Sequence, residues 1–499
     1  MTGYTRKAFF GFLFVGVGAV FANMFGYLLR LLLARSLTVE EYGLIYSVMA
    51  LFGLLSAFYS LGLTEAIAKY TSEFGVKRDD ARIKEIVLWS ARALYPVAFV
   101  IAAVGFFSAD WLGVVYFKSD IAPTLVRLFA ISLVFVPIDV LILGLLQGRQ
   151  RLAHHALYTA TRSFVLLFAT WIFLMQGFGP SGAMLAYVVA YAVSYCVFLP
   201  WLLPLSIPRF FSLRVKMRRS TLDMLLRYGT PVMLTSMASI VLFYTDTMLL
   251  TIFSSLHEVG VYQAALPTAN ILLFFATMLT VVMLPLIAEL WARRRTGLIR
   301  LAVEELYLAV FIVMLPLSIA AVIYPDLILN LLFGASFIEG ADILRALAIA
   351  VLFMALHAVN AATLSGVGRP GQNTKAVAIG AACNLVANLI LIPRMGGLGA
   401  AIGTLISAII MFSISTAFVH RILRMSIPYV AWCKALIASV LFSGTIWVSR
   451  SMFNIQGQYL KVVVGVLLGA AVYICVLLLL RAITFDELRS MYRRVFSHR

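Results

Sequence analysis

The chain contains about 14 apolar segments, each long enough to cross a lipid bilayer as a helix. A crossing requires about 20 consecutive, mostly apolar residues. The segments are separated by short connections, so no linker is large enough to fold alone. We therefore predict an all-α polytopic membrane protein. The predicted spans are 9–33, 43–67, 86–108, 121–147, 156–178, 182–205, 228–253, 261–289, 304–324, 341–365, 374–393, 398–420, 428–448 and 459–481.

Composition excludes most soluble classes of protein. Hydrophobic residues make up 63% of the 499 residues and charged residues 12%, whereas soluble domains have about 45–50% and about 25%. A water-soluble fold cannot hide that much apolar surface. Soluble enzymes, nucleic-acid binders and disordered scaffolds are therefore not expected, although the net charge is +18.

The basic residues predict the orientation in the membrane. If the N-terminus is cytoplasmic and the spans alternate, 28 of the 39 Lys and Arg residues fall in cytoplasmic segments and 5 in outer ones. Cytoplasmic loops carry this excess, so we expect a multi-pass protein of the cell membrane with both termini inside. The tail 484–499 places apolar residues at helical spacing and is predicted to be a basic amphipathic helix on the inner surface. A simple charged tail is the alternative.

An internal repeat divides the chain. Residues 41–44 resemble 258–261, and residues 125–131 resemble 343–349, at offsets of 217 and 218. Six spans separate the copies, and an even number preserves direction, so the repeats are parallel. The predicted organisation is an N-lobe 1–210, a C-lobe 211–425, two further helices in 426–483 and the tail. Two such lobes around a central cavity are typical of transporters.

Several segments carry a family resemblance. They read LLLARSLTVEEYGLIYS, YTDTMLLTIFSSLHEVGVYQAA, YPDLILNLLFGASFIEGADILRALA and NLILIPRMGGLGAAIGTLIS. The chain resembles the prokaryotic polysaccharide exporters and lipid-linked oligosaccharide flippases of the multidrug/oligosaccharidyl-lipid/polysaccharide exporter superfamily, along nearly its whole length. The count of twelve plus two helices also fits that branch. The resemblance implies transport of a lipid-linked oligosaccharide and does not identify the sugar.

Four arginines within spans are candidates for binding an anionic headgroup. A charge in a span costs about 2.5–3.5 kcal/mol on insertion scales and needs a compensating contact. A guanidinium grips phosphate oxygens through its planar fork. The alternatives are that the side chain reaches the interface or braces a lobe. These candidates are Arg30, Arg127, Arg162 and Arg345.

Three further polar residues are candidates for ion coupling or gating. Asp139 lies near the middle of predicted helix 4, and His357 is its repeat counterpart. A carboxylate at that depth could bind a proton or cation, or bond to a neighbouring helix. Asp246 lies in the TDTMLL stretch of predicted helix 7, beside Thr247, the repeat counterpart of Arg30. We therefore consider an outer-gate pair between Arg30 and Asp246, the alternative being a separate partner for each.

No catalytic, metal or cofactor site is predicted, and no nucleotide motif suggests direct use of ATP. The four cysteines lie within apolar runs without metal spacing. We predict a flippase that moves a polyprenyl-(pyro)phosphate-linked oligosaccharide to the outer leaflet for surface glycan assembly. Expected partners are this substrate, membrane lipids, H⁺ or Na⁺ as coupling ion, and polymerase or glycosyltransferase machinery, without nucleic acid. Alternatives are an ion-coupled drug or metabolite antiporter and, less expected, a membrane-embedded glycosyltransferase.

Overall fold

The structure, a computed structural model, describes residues 3–452 and 458–480. Within these ranges the side chains of 3–17, 57, 59, 235, 238, 239, 281, 282, 449–452 and 458–461 are not described, and the predicted amphipathic tail lies outside the described residues. The α-helices are α1 (Gly3–Ser36), α2 (Val39–Leu54), α3 (Ser56–Ser60), α4 (Leu63–Val76), α5 (Asp80–Phe107), α6 (Ala109–Trp111), α7 (Ala122–Leu133), α8 (Val136–Gly148), α9 (Leu152–Met175), α10 (Gly179–Ser206), α11 (Arg219–Phe253), α12 (Leu256–Ile271), α13 (Leu273–Ala292), α14 (Thr296–Ile323), α15 (Pro325–Leu332), α16 (Ala341–Gly366), α17 (Pro370–Leu423), α18 (Tyr429–Met452) and α19 (Gln458–Leu479).

The prediction of an all-α multi-pass membrane protein is confirmed. The regular structure of the described ranges is entirely helical, with a π-helical turn at Leu112–Phe117 and a 3-10 turn at Ala335–Gly340. Ten of these helical segments are long and apolar enough to cross a bilayer. The count of 14 stays a prediction, because some predicted crossings are broken into short helices and others run together.

The helices are interrupted at positions where the backbone conformation changes, although the hydropathy of the sequence does not change there. Predicted helix 2 is interrupted at Leu61 and Gly62, which both have positive φ, at 49° and 62°. Predicted helix 4 is interrupted after α7, and Pro137 stands in the first turn of α8, where a missing N–H costs nothing. The long helix α17 contains a kink at Gly396, with φ 54° and ψ −132°, between predicted helices 11 and 12.

The described helices form two compact units. The chain divides between Ala264 and Ala265, and the short segment Leu332–Phe337 belongs to the first unit. The first unit therefore contains α1 to α11 and the first half of α12. The predicted lobe boundaries at 210 and 425 describe the sequence repeat and stay a prediction.

Small residues allow close helix packing in the first unit. On α8, a Cβ atom added at Gly144 would lie 2.8 Å from the Thr64 carbonyl oxygen, and one at Gly148 would lie 2.6 Å from that of Ala68. This G-xxx-G spacing brings two backbones together where lipid gives helices no hydrophobic reason to associate. Leu63, Ile67 and Leu145 are buried around the contact.

A second backbone contact joins α2 to α12 within the first unit. Thr38 begins α2 with a capping box, because its Oγ1 accepts from the Glu41 N–H at 3.2 Å while Glu41 accepts from the Thr38 N–H at 2.9 Å. A Cβ atom at Gly43 would lie 2.0 Å from the Leu256 carbonyl oxygen. One at Gly260 would lie 2.2 Å from the Val39 carbonyl oxygen. Only glycine fits at either position.

The segment that connects the two repeats is bound to the start of α5. The Lys84 ammonium donates to the carbonyl oxygens of Phe210 and Leu213, at 2.5 and 2.7 Å. The Glu85 carboxylate is buried and accepts from the Arg218 N–H at 2.7 Å and the Thr221 hydroxyl at 2.8 Å. These bonds hold the connecting segment against the first repeat.

Candidate functional site

Asp139 and Arg162, which the sequence assigned to separate roles, form one ion pair in the first unit. Asp139 lies on α8 and Arg162 on α9, and Arg162 Nη1 contacts Asp139 Oδ2. The Tyr158 hydroxyl, one turn from Arg162, donates to Asp139 Oδ1 at 2.7 Å. The side chains of Arg162 and Asp139 are 26% and 14% exposed. The pair therefore has the counter-charge that an ionised group in lipid requires, and it retains accessible surface.

Tyrosine rings surround this pair. The Arg162 guanidinium lies 5.5 Å from the Tyr191 ring centroid and 5.9 Å from that of Tyr158. Tyr191 stacks on Tyr195 with ring centroids 6.0 Å apart. Because Tyr187, Tyr191 and Tyr195 are spaced by four residues on α10, they share one helix face. The arginine is thus held over aromatic faces, where cation–π attraction supports it.

A second guanidinium lies in the same unit. Arg30 on α1 stands over the Tyr46 ring at 4.3 Å from its centroid. Its Nη1 donates to the Gln263 side-chain and backbone oxygens at 3.3 and 3.4 Å. Tyr187, one turn before Tyr191 on α10, donates its hydroxyl to Met49 Sδ at 3.4 Å. The first unit therefore contains two guanidiniums held over tyrosine rings, Arg30 over Tyr46 and Arg162 near Tyr158 and Tyr191.

Arg30 and Asp246 have different partners in this structure. Gln263, which Arg30 contacts, donates through Nε2 to Thr247 Oγ1 at 2.6 Å, so Arg30 is linked to its repeat counterpart through one side chain. Asp246 is buried and accepts from the Tyr262 hydroxyl at 2.6 Å. This arrangement corresponds to the alternative in which each charge has its own partner, and a gating role for Asp246 stays a prediction.

Arg127 and Arg345 form equivalent ion pairs at the outer ends predicted for helices 4 and 10. Arg127 contacts Asp110 at 2.6 Å. Arg345 contacts Asp342 at 2.5 Å and Asp326, the repeat counterpart of Asp110, at 3.5 Å. The two arginines are 36% and 39% exposed. Arg127 also stands 5.8 Å from the Phe106 ring centroid, and Arg345 donates to the Val322 carbonyl oxygen at 3.3 Å. Among the described residues, neither arginine contacts the tyrosines that surround Arg162.

His357, the counterpart of Asp139, lies in a neutral network of the second unit. Its Nδ1 lies 3.0 Å from the Ser415 hydroxyl oxygen. Ser415 and Thr416 accept from the Asn360 amide at 2.9 and 3.0 Å, and Tyr307 donates to the Asn360 amide oxygen. The repeat therefore places a charged pair in the first unit and hydrogen-bonded neutral groups at the equivalent position of the second.

The two guanidiniums provide the kind of donors that bind an anion. A guanidinium can exchange an internal carboxylate for phosphate oxygens without a change of bonding type. Within the described ranges, no three His, Cys, Asp or Glu side chains are grouped as metal ligands. Tyr187 and Tyr191 were not among the residues predicted for the site. Their spacing of four beside a charged pair is the signal that would have found them.

Comparisons with known families and proteins agree with a transporter architecture. Residues 10–291 match the family model described as polysaccharide biosynthesis protein, and residues 231–393 match the MatE family model. Among curated proteins, the "Probable low-salt glycan biosynthesis flippase Agl15" of Haloferax volcanii is 22% identical, over 95% of this chain and 97% of its own length. The "Uncharacterized membrane protein MJ1068" of Methanocaldococcus jannaschii is 25% identical over 88% of this chain and 89% of its own.

Solved structures with the same fold include two membrane transporters. The lipid II flippase MurJ in an inward closed conformation has a TM-score of 0.77 at 13% identity, covering 97% of this chain and all of the other. An inward-facing multidrug resistance transporter of the MATE family has a TM-score of 0.68 at 14% identity, covering 81% of this chain and 94% of the other. At these identities the likeness concerns the fold alone.

Proposed function

Because the chain belongs to the polysaccharide biosynthesis protein family, we propose that it is a flippase for a polyprenyl-(pyro)phosphate-linked oligosaccharide. It moves the headgroup from the inner to the outer leaflet of the cell membrane by alternating access, for the assembly of a surface polysaccharide or glycan. Sugar hydroxyls cannot cross hydrocarbon unassisted, because each unpaired hydroxyl costs several kcal/mol. The protein provides a polar path, while the lipid tail remains in the bilayer.

The observation that carries this proposal is the Arg162–Asp139 pair on α8 and α9, together with Arg30 on α1, a helix that packs against α9 through Phe25 and Phe164. Two guanidiniums lie within the first unit, and one of them is paired with a partly accessible carboxylate. In our proposal the phosphate or pyrophosphate binds Arg30 and Arg162, replacing Asp139 as the counter-ion of Arg162. A charged hydrogen bond contributes about 1.5–3 kcal/mol, which offsets part of the cost of bringing the headgroup in.

Arg127 and Arg345 have a different part in the proposal. Each is held by carboxylates of its own unit at an exposed position, so we assign them to bracing the outer ends of helices. Asp139 and His357 remain the groups through which H⁺ or Na⁺ would be coupled. Polymerase or glycosyltransferase enzymes would supply or consume the lipid-linked sugar.

An ion-coupled drug antiporter is the alternative within the same fold. A cationic drug needs accessible acidic groups, and the Asp139 carboxylate is already paired with Arg162 and accepts a hydrogen bond from Tyr158. The anionic substrate therefore fits the described charges better.

The test is a leaflet-exchange assay in vesicles that contain the purified full chain. The probe is farnesyl pyrophosphate linked to N-acetylglucosamine that carries a fluorophore on the sugar, and an impermeant reductant bleaches the fluorophore in the outer leaflet. We expect bleaching beyond the outer-leaflet half with wild-type protein. Arg30→Gln and Arg162→Gln should slow it at least about tenfold.

The control variant is Arg293→Gln, which removes an exposed arginine that pairs with Glu289, and it should match wild type. Bleaching no greater than in protein-free vesicles would overturn the proposal. Exchange of a cationic dye in place of the probe would favour the antiporter.

A further inference from the structure

Most buried tyrosine hydroxyls of the first unit donate to a protein acceptor. Tyr158 donates to Asp139, Tyr262 to Asp246, and Tyr42 and Tyr195 to the backbone oxygens of Gln263 and Phe135. Burying a phenol without pairing its hydroxyl costs free energy. This pattern makes any tyrosine without an acceptor noteworthy.

Tyr191 and Tyr244 depart from the pattern. Among the residues that the structure describes, neither hydroxyl has a hydrogen-bond partner, and both side chains are partly exposed. Tyr191 lies on α10 and Tyr244 on α11, and the Tyr244 ring packs against Gly53 of α2. A hydroxyl that has no acceptor and belongs to a partly exposed side chain is available to bond a polar ligand.

Arg162 lies next to Tyr191, and Arg30 lies over a helix that Tyr244 also contacts. Arg162 stands 5.5 Å from the Tyr191 ring centroid, Arg30 stands over the Tyr46 ring of α2, and the Tyr244 ring packs against Gly53 of the same helix. Tyr187, one turn from Tyr191, packs edge-on against Phe129 at 5.6 Å and donates its hydroxyl to Met49 Sδ. We name Tyr187, Tyr191 and Tyr244 the tyrosine surface.

We propose that the tyrosine surface binds a sugar ring of the transported headgroup. A pyranose presents an apolar face of C–H groups and a rim of hydroxyls, and a phenol presents a complementary ring face and one polar end. A few polar groups in a mostly aromatic wall are typical of small-molecule sites. The position beside Arg30 and Arg162 suits the sugar that is attached directly to the phosphate.

The charges select among possible occupants. A cationic aromatic drug would also stack on tyrosine rings, but it would face two guanidiniums at the same place. A sugar attached to a phosphate can stack on the rings and bond to the unpaired hydroxyls, while its phosphate binds the arginines. The inference rests on the proposed function and adds to it the residues that recognise the glycan.

Two probes that differ by a single sugar test this inference. The affinity of the purified full chain in detergent is measured for farnesyl pyrophosphate and for farnesyl pyrophosphate linked to N-acetylglucosamine. We expect wild type to bind the sugar-bearing probe about tenfold more tightly. Tyr191→Leu and Tyr244→Leu should remove most of this difference and change the affinity for farnesyl pyrophosphate less than about twofold.

Two further variants control for folding and for general aromatic loss. Tyr191→Phe keeps the ring and should keep about a third of the sugar-dependent gain, which gives a result even where the leucine variant fails to fold. Phe168→Leu removes an aromatic side chain on α9 that is 49% exposed, and it should leave both affinities unchanged.

The outcomes separate this inference from the function it rests on. Equal wild-type affinity for both probes, or an unchanged sugar-dependent gain in Tyr191→Leu and Tyr244→Leu, overturns the sugar site and leaves the phosphate site standing. If Arg30→Gln and Arg162→Gln do not weaken binding of farnesyl pyrophosphate, the phosphate site is wrong. If neither probe binds wild type, both proposals fall.

Discussion

Glu40 and His257 share a hydrogen bond, with Glu40 Oε1 3.0 Å from His257 Nδ1, and they occupy equivalent positions of the two sequence repeats, 217 residues apart. The same offset relates Gly43 to Gly260 and Val39 to Leu256, whose atoms form the reciprocal backbone contact of α2 and α12. The two helices therefore contact each other through equivalent surfaces. The contact has local two-fold symmetry within the first unit.

Substituting either glycine of this contact should destabilise the protein. Gly43→Ala and Gly260→Ala would each place a methyl group about 2 Å from a carbonyl oxygen, so the helices must move apart. We expect a loss of about 1–3 kcal/mol in the free energy of unfolding, seen as a lower melting temperature in detergent.

The matched controls are Gly26→Ala and Gly444→Ala, because a Cβ atom at either position would have no neighbour within 4 Å. They should melt at or above the wild-type temperature, since alanine is the better helix former. Unchanged melting of both contact variants would contradict the close packing.

The Glu40–His257 bond should make stability depend on pH. A hydrogen bond from its own backbone N–H, followed by the bond from His257, lowers the pKa of Glu40 below its usual range. A lowered pKa contributes stability that is present above the unfolded pKa and lost as pH falls through the folded value. The melting temperature of wild type should therefore be higher than that of Glu40→Gln at neutral pH. This difference should disappear below about pH 4.

Melting temperatures between about pH 3 and pH 7 measure this effect. The difference should be small, since the Glu40 side chain is 59% exposed. His257→Gln removes one of the two causes and should retain part of the difference. If the difference in melting temperature between wild type and Glu40→Gln increases as the pH is lowered, the lowered pKa of Glu40 is contradicted.

Removing the Asp139 carboxylate should strengthen anion binding. In Asp139→Asn the Arg162 guanidinium loses its internal counter-ion, and we expect about tenfold tighter binding of farnesyl pyrophosphate. The double variant Asp139→Asn/Arg162→Gln should show no gain. Weaker binding by the single variant would mean that Asp139 orients Arg162 for the substrate instead of competing with it. Melting curves must accompany the assay, because breaking a buried pair costs about 3–5 kcal/mol.

Arg127 and Arg345 should prove more important for packing than for transport. Exposed ion pairs contribute about 0–1 kcal/mol each, so Arg127→Ala/Arg345→Ala should lower the melting temperature modestly. Leaflet exchange should stay within about twofold of wild type, since neither residue touches the tyrosine surface in the described contacts. Loss of exchange comparable to Arg162→Gln would place them on the substrate path, as the sequence first suggested.

Hydropathy predicted the helical class because the cost of exposing polar backbone to lipid applies to every crossing alike. It did not predict the breaks at Leu61–Gly62 or after Leu133, because the apolar run continues through both. Nor did it predict the reciprocal contact of Gly43 and Gly260. A glycine in a span signals close approach, and its partner is determined only by tertiary packing.

The sequence predicted which charged residues belong to the candidate site, but it did not predict that they lie together. Arg162 and Asp139 were singled out separately because a charge in a span is costly by itself. Their pairing depends on how α8 packs against α9, which spacing along the chain does not encode. Tyr191 was missed because an aromatic residue in an apolar run usually packs against lipid or helix, and its position near Arg162 depends on how α9 packs against α10.

The anchoring of the connecting segment has a consequence for biosynthesis. Lys84 and Glu85 are translated 126 to 136 residues before the groups that they bind. The groups that anchor the connecting segment therefore already exist when the segment is synthesised. The order of synthesis allows residues 210–221 to bind the start of α5 as soon as they leave the ribosome, before the rest of the second repeat is made.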